Sequence, residues 1–318
     1  MIITRWILLI AALGLAAPAW AQRYPDRPVR VIVPLSAGGP LDVTARLFSE
    51  KLAASLGQPF VIDNRVGAAG NIGTDIAANA RPDGYTLLWV IDSILTVNPI
   101  LYANTRDPLE RLAPVAVLLE NPGTLVVHPS LPAKTSAELV RLSRIRAISY
   151  ASAGLGSPGH RYMEYYKLLT GAQMTHVPYK GNAPAVVSIV TGETQTFISA
   201  ITGVLPHVGT GRLRALAVTS PKRSPALPAV PTMSELGYPK FAAVTWFAVL
   251  VPAGTPQPIV DILGGELGRI IQLPDIREKL AQQGSEPAFD SGKAVIARAR
   301  EERKLWTEVV QKTGMKVD

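Results

Sequence analysis

Gly154-Leu155-Gly156-Ser157-Pro158-Gly159 spells G-x-G-x-x-G between a β-rich run at 147–151 and a helical run at 160–170. In a dinucleotide site such glycines let the backbone approach a pyrophosphate, and an acidic residue about 20 positions on holds the ribose. Here the window 171–178 offers Gln173, Thr175 and His176 but no Asp or Glu, and Pro158 stiffens the helix entry. A nucleotide cofactor is therefore not expected. Nor does Ser157 sit in a nucleophile elbow, because Leu155 stands where G-x-S-x-G needs glycine. The chemistry left to the loop is anion binding: glycines turn backbone N–H groups outward, and a helix N-terminus adds partial positive charge. The arrangement recurs at Ala37-Gly38-Gly39 before Leu41, at Gly67-Ala68-Ala69-Gly70 before Asn71, and at Lys180-Gly181-Asn182 before Pro184. Any one of these loops taken alone reads more simply as a tight turn. Four of them at strand-to-helix junctions point to an anion site.

The other reactive side chains do not assemble into a catalytic set. His128, His160, His176 and His207 are dispersed, and none falls in a metal-ligand spacing such as H-E-x-x-H. His176, inside a β-rich run, reads as a hydrogen-bonded filler. His160, opening a helix beside the glycine loop, is the candidate ligand-side donor. The absence of cysteine removes disulfides, thiolate metal sites and cysteine nucleophiles. No metal, cofactor or catalytic residue is expected. The formal charge of +8 is spread out, and its densest clusters, at 141–146 and 221–223, lack the aromatic residues of a nucleic-acid surface. A basic exterior still draws anionic solutes.

Repeated strand-loop-helix units must position these loops. Residues 29–33 are β-rich, 41–56 place Val43, Leu47, Leu52 and Leu56 near helical spacing, and Gly57 stands at the C′ position. Strands at 60–62 and 85–91 with a helix at 71–80 complete two βαβ units, which imply parallel pairing and right-handed crossovers. A second series runs through strand 125–127, helix 136–146, strand 147–151, helix 160–170, strand 175–177, helix 184–191 and strands 194–199 and 213–219. The tail adds a strand at 246–251 and helices near 256–272, 276–283 and 291–312. The expectation is an α/β fold of two lobes, each a mainly parallel sheet flanked by helices. Lobe 1 takes 22–124 plus 220–318 and lobe 2 takes 125–219, with a hinge near 120–125 and 219–223. Ligands of open parallel sheets sit beyond the carboxyl ends of the strands, here the cleft between lobes. Ahead of all this, Arg5, the apolar run 6–17 and Ala19-Trp20-Ala21 have the layout of a secretory signal peptide, and the run is shorter than the roughly 20 residues of a membrane span. Residues 1–21 are expected to be cleaved after Ala21, leaving a soluble exported chain.

The stretches "YPDRPVRVIVPLSAGGPLDVTARLFSEKL", "SYASAGLGSPGH", "HVPYKGNAPAV" and "LPHVGTGRLRALAVTSPKRSPALPAVPTMSELG" resemble the Bug-type periplasmic solute-binding proteins of tripartite tricarboxylate transporters, and the likeness runs in order through 23–318. The resemblance implies a type II, flytrap-like periplasmic binding protein and not an enzyme. It would capture a small carboxylate in the periplasm and deliver it to integral-membrane transporter subunits; a monomer is the default expectation. A ligand-sensing adaptor for a signalling protein and, less favoured, an exported α/β enzyme are the alternatives. Carried over by position, the ligand-binding loops are Leu35, Ser36, Ala37, Gly38 and Gly39 with Asp42; Ser152, Ala153, Gly154, Gly156, Ser157 and His160; and Tyr179, Lys180, Gly181 and Asn182. Two departures join them. Asp92-Ser93 stands where relatives commonly place small hydroxyl residues, and Ser199 where they commonly have Asp. A carboxylate at Asp92 implies a basic or hydroxyl group on the ligand, unless it faces solvent or caps a helix.

Overall fold

The computed structural model describes residues 24–102, 105–241 and 243–316. The leader expected at 1–21, with its expected cleavage site, lies outside them. In the first lobe β1 (Val29–Val33) pairs in parallel with β2 (Phe60–Asn64) on one side and β3 (Thr86–Ile91) on the other. The crossovers are α1 (Pro40–Leu56) and α2 (Asn71–Ala78). Helix α1 forms because Leu41, Ala45, Phe48 and Leu52 share one buried face. Pro40 presets φ at its first turn, and Gly57 closes it in the left-handed region at φ 76. Three short helices follow: α3 (Asp92–Thr96), α4 (Asn98–Leu101) and α5 (Pro108–Arg111).

Next comes β4 (Leu112–Val127), the longest strand among the described residues. The second lobe then runs α6 (Ser136–Ser143), β5 (Ser149–Ser152), α7 (Pro158–Thr170), β6 (Thr175–Pro178), α8 (Asn182–Val190), β7 (Thr196–Ala200), α9 (Ile201–Gly209) and β8 (Arg214–Val218). The chain ends with β9 (Val244–Pro252), α10 (Gln257–Ile270), α11 (Pro274–Gln282), β10 (Glu286–Ser291) and α12 (Gly292–Thr313). Strand order is β2-β1-β3-β9-β4-β7-β5-β6, with β8 and β10 also on β4.

The outer strands of each lobe are parallel, as the βαβ pattern implies, but the centre is not. Strand β9 is antiparallel to both β3 and β4, and β4 is antiparallel to β7, β8 and β10. The cause is β4 itself, which belongs to both lobes: residues 112–122 pair with β9, and 123–127 pair with β7 and β8. Exchange of partners falls at Pro122-Gly123. Proline has no ladder donor, and a Cβ on Gly123 would lie 3.0 Å from the Ile198 side chain.

Packing also moves one expected boundary. The stretch 220–243, read from the sequence as part of the first lobe, contributes Met233 and Phe241 to the core that holds Tyr150, Tyr162 and Tyr166 of the second. The last helix spans both lobes. Val295 and Ala299 pack with first-lobe residues such as Val90 and Trp246, whereas Trp306 and Val309 enter the second-lobe core. Apolar periodicity marks this helix but says nothing about which of two cores each turn meets.

Candidate functional site

A cavity of about 220 Å³ lies between the lobes. Its first-lobe wall is Leu35, Pro40, Leu41 and Ile91; its second-lobe wall is Ala153, Pro158, Gly159, Tyr162, Asn182, Ile198, Ser199, Ala200 and Thr202; Asn121, Gly123, Thr245 and Phe247 of the two central strands form its floor. Among the described residues no Asp, Glu, Lys, Arg or His lines it. The polar character comes from helix ends. The first turns of α1, α7, α8 and α9 each supply lining residues, and α1, α8 and α9 start from Gly39, Gly181 and Ala200 with no side-chain cap. Backbone N–H groups at such ends lack intrahelical partners and favour an anion.

Each loop is shaped from behind. Asp42, buried under the first loop, accepts from the Gly38 N–H at 2.9 Å, from Arg46 Nε at 2.9 Å and from Asn64 Nδ2 at 2.9 Å. Burial pushes its carboxyl up, but these donors prevail and hold it below the ordinary range. Asn64 also donates to the Leu35 carbonyl at 3.1 Å. Asp42 thus fixes the loop from behind and is not on the cavity wall. Gly38, at φ 77, takes a conformation side chains disfavour.

The second-lobe loop is held by two histidines. His160 and His176 stack with centroids 4.0 Å apart and planes 5° off parallel. His160 Nδ1 accepts from the Gly156 N–H at 3.1 Å, and Ser152 Oγ lies 2.6 Å from His176 Nε2. Burial, with His176 alongside, pushes His160 down to about 4, so the ring is neutral and Nδ1 is an acceptor. His160 Nδ1 is taken by its own loop, which places the ring proton on Nε2, and His160 is not among the residues that line the cavity. Ser157 caps α7, accepting from the His160 N–H at 3.4 Å. The closing loop is tied down by Tyr179 N–H to the Ser152 carbonyl at 2.9 Å and Gly181 N–H to the Ala153 carbonyl at 3.2 Å. Lys180 is exposed.

Asp92 is the clearest correction. Fully buried at the start of α3, it neither meets the cavity nor faces solvent: its Oδ2 accepts from Arg161 Nη2 of α7. Burial pushes the Asp92 carboxyl up against the pull of Arg161. The guanidinium lies 4.7 Å from the ring centroids of both Tyr162 and Trp306. Nearby, Arg298 donates to Glu120 at 2.6 Å and to Glu302 at 2.9 Å, and Trp246 Nε1 donates to Glu302 at 2.8 Å. Burial, then the charge of Asp92, raise Glu302 to about 7. Ser93 is buried beside Asp92, also off the wall.

Of the residues expected at the ligand, Leu35, Ala153, Asn182 and Ser199 line the cavity, and Ser199 Oγ donates to Asn182 Oδ1 at 3.2 Å. Ser36, Ala37, Gly38, Gly39, Ser152, Gly154, Gly156, Ser157, Tyr179, Lys180 and Gly181 shape or flank the loops behind that wall. Sequence reasoning missed Tyr162 and the floor pair Asn121 and Thr245. Both floor residues interrupt apolar strand runs, and that polar break is the signal that could have found them.

Two α/β lobes that share central strands and close a cavity with helix ends define a solute-binding receptor. Residues 44–315 match the family TctC, the tripartite tricarboxylate transporter family receptor. The chain is 40% identical over 314 residues to protein BugT of Bordetella pertussis, covering 98% of this chain and 96% of that one. Among solved structures it resembles Rpa4515 of R. palustris with adipate, at 35% identity and TM-score 0.83 over 92% of this chain and 99% of the other. It also resembles MatC of Rhodopseudomonas palustris with bound malate, at 31% identity and TM-score 0.78 over 90% and 100%. The chain belongs to the tripartite tricarboxylate transporter receptor family, and it is a receptor, not an enzyme.

Proposed function

We propose that the chain is exported, loses residues 1–21, and in the periplasm closes its interlobe cavity on one small carboxylate, which it presents to integral-membrane transporter subunits. The observation that carries this reading is that, among the described residues, no charged side chain lines the cavity while uncapped helix starts from both lobes do. Such a site holds a carboxylate by backbone donors and helix dipoles. The loops 35–39, 152–160 and 179–182, with Ser199, frame it. The relatives bound to adipate and malate support an acid of four to six carbons as the starting guess. The lobes move about the partner exchange of β4 at Pro122-Gly123, so that contacts to both lobes exist only in the closed form.

Titration of residues 22–318, unfolded and refolded to remove any carried ligand, against organic acids that include malate and adipate tests this. A ligand at 100 times its Kd raises stability by about 2.7 kcal/mol, readily seen as a thermal shift. The expected result is a selective shift with the acid recovered unchanged. No shift with any acid, or chemical conversion of one, overturns the reading.

A further inference from the structure

The two side walls of the cavity are chemically unlike. On the first lobe Leu35, Pro40, Leu41 and Ile91 offer no polar side-chain atom. On the second lobe Asn182, Ser199 and Thr202 share the wall with the uncapped starts of α8 and α9. Asn182 and Thr202 are half-buried and lie in the first turns of those helices, where backbone N–H groups lack intrahelical partners. Between the walls the floor is nearly closed over, with Asn121, Thr245 and Phe247 all buried, so contact with a ligand falls mainly on the sides.

The helix starts differ in the same direction. The first turn of α1 already holds an anion of the protein's own: Asp42 accepts from the Gly38 N–H and from Arg46 Nε, both at 2.9 Å. The first turns of α8 and α9 hold no acidic residue. A ligand carboxylate is therefore favoured at the second-lobe starts and opposed by Asp42 at the first-lobe one. A second carboxylate at the far end of the same ligand would be pressed against Leu35 and Ile91, and a charge taken out of water without a partner is strongly disfavoured. An ammonium there fares no better, because among the described residues no Asp or Glu lines the cavity.

We propose, resting on the carboxylate-receptor reading, that the ligand is a monocarboxylate with an apolar body: its carboxylate sits on the starts of α8 and α9, and its body lies against Leu35, Pro40 and Ile91 of the first lobe. The second lobe captures the acid, and closure of the first lobe takes the body out of water. Selectivity then resides at the far end of the ligand, where a methyl group or a ring edge is accepted and a second charge is refused. The size of four to six carbons is kept; the second charge is not.

The test is calorimetric titration of residues 22–318, unfolded and refolded to remove any carried ligand, with acids that share a carbon frame and differ at the far end. The sets are butanoate, succinate and 4-aminobutanoate; hexanoate, adipate and 6-aminohexanoate; benzoate and terephthalate. In at least one set the plain monoacid should bind about tenfold or more tighter than its charged counterparts. From butanoate to hexanoate the affinity should rise about fourfold per methylene. Leu35→Ser and Ile91→Ser should each bring that rise below about twofold per methylene, whereas Thr202→Val should weaken butanoate and hexanoate by the same factor. Two first-lobe variants are used so that a failure of one to fold, checked by thermal unfolding, leaves the other to decide. Charged members that bind as tightly as the monoacid in every set, or an unchanged chain-length rise in a folded first-lobe variant, overturn the inference while the receptor reading stands. Failure of every acid to bind overturns the receptor reading and the inference with it.

Discussion

The cavity wall and the layer directly behind it differ in kind. Among the described residues no charged side chain lines the cavity, yet behind it the buried pair Asp92 and Arg161 and the half-buried Glu302, Arg298 and Glu120 form a dense set of charges that joins α3, α7, α12 and β4. Full charges carry large desolvation penalties and bind whatever opposite charge is nearest. Placed at the wall they would fix one ligand charge pattern; placed behind it they tie the lobes and polarise Tyr162. Ligand charge is left to helix ends, which are fixed by the backbone and need no counter-ion.

If this division is right, breaking the layer behind the wall should affect stability before affinity. Arg161→Met strands the Asp92 carboxyl in a fully buried site, and removal of one partner of such a pair costs about 3–5 kcal/mol. Urea unfolding measures it. The double variant Asp92→Leu with Arg161→Met should recover much of the loss, because well-packed apolar groups often replace a buried pair without penalty. A single-variant loss below about 1 kcal/mol, the range of an exposed pair, would remove the contrast.

The same layer predicts a pH dependence of known sign. Glu302 is raised to about 7 in the folded chain from an ordinary 4.5, with burial the larger cause and Asp92 the second. The folded state therefore binds more protons than the unfolded state between those values. Its contribution is fully present below about pH 4.5 and is lost as pH rises through 7, on the order of 3 kcal/mol in total. Stability of the parent minus that of Glu302→Gln, followed from pH 4 to 8, should fall across that window. A flat difference would mean that Arg298 and Trp246 keep the carboxylate fully ionised.

Charge placed on the wall sharpens the comparison from the other side. Ala153 lines the cavity and is partly exposed, so Ala153→Asp should leave the fold intact. A new carboxylate beside a bound acid should weaken binding about 10- to 100-fold at pH 7, and less at pH 4. Titration with the best acid of the panel reads both numbers. Unchanged affinity would mean that the anion sits away from the 153–160 loop.

The sequence made the strand-helix units legible because their signals are local: apolar spacing in α1, Gly57 at its end, Thr135 and Glu138 as the capping box of α6. It hid elements whose residues look like breakers. Helix α9 contains Gly203 and Pro206 but is anchored by close packing, since a Cβ on Gly203 would lie 2.7 Å from Asn182 Nδ2. The passage of β4 through Pro122-Gly123 reads from the sequence as a hinge crossing and not as the middle of one strand. The glycine loops revealed the site's chemistry, whereas the partner of Asp92 was invisible: Arg161 is 69 positions away and meets it only through the packing of both lobes. A titratable residue in a glycine-rich neighbourhood invites a ligand role, and the fold here assigns it a structural one.

Lys180 gives the smallest expected effect and the most direct check on where charge acts. It is the only lysine in the three loops, and attraction of an acid by its ammonium is the simplest alternative to helix-end binding. The structure places it exposed and off the cavity wall. At physiological salt the screening length is about 8 Å, so an exposed charge outside the cavity contributes mainly to encounter. Lys180→Ala should change Kd by less than about threefold at 0.15 M salt, through the association rate, and that small effect should shrink further at higher salt. Stopped-flow binding at two salt concentrations separates the rates. A loss of tenfold or more, carried by faster dissociation, would mean that Lys180 reaches the ligand on closure, and the uncharged-wall description would then hold only for the unliganded chain.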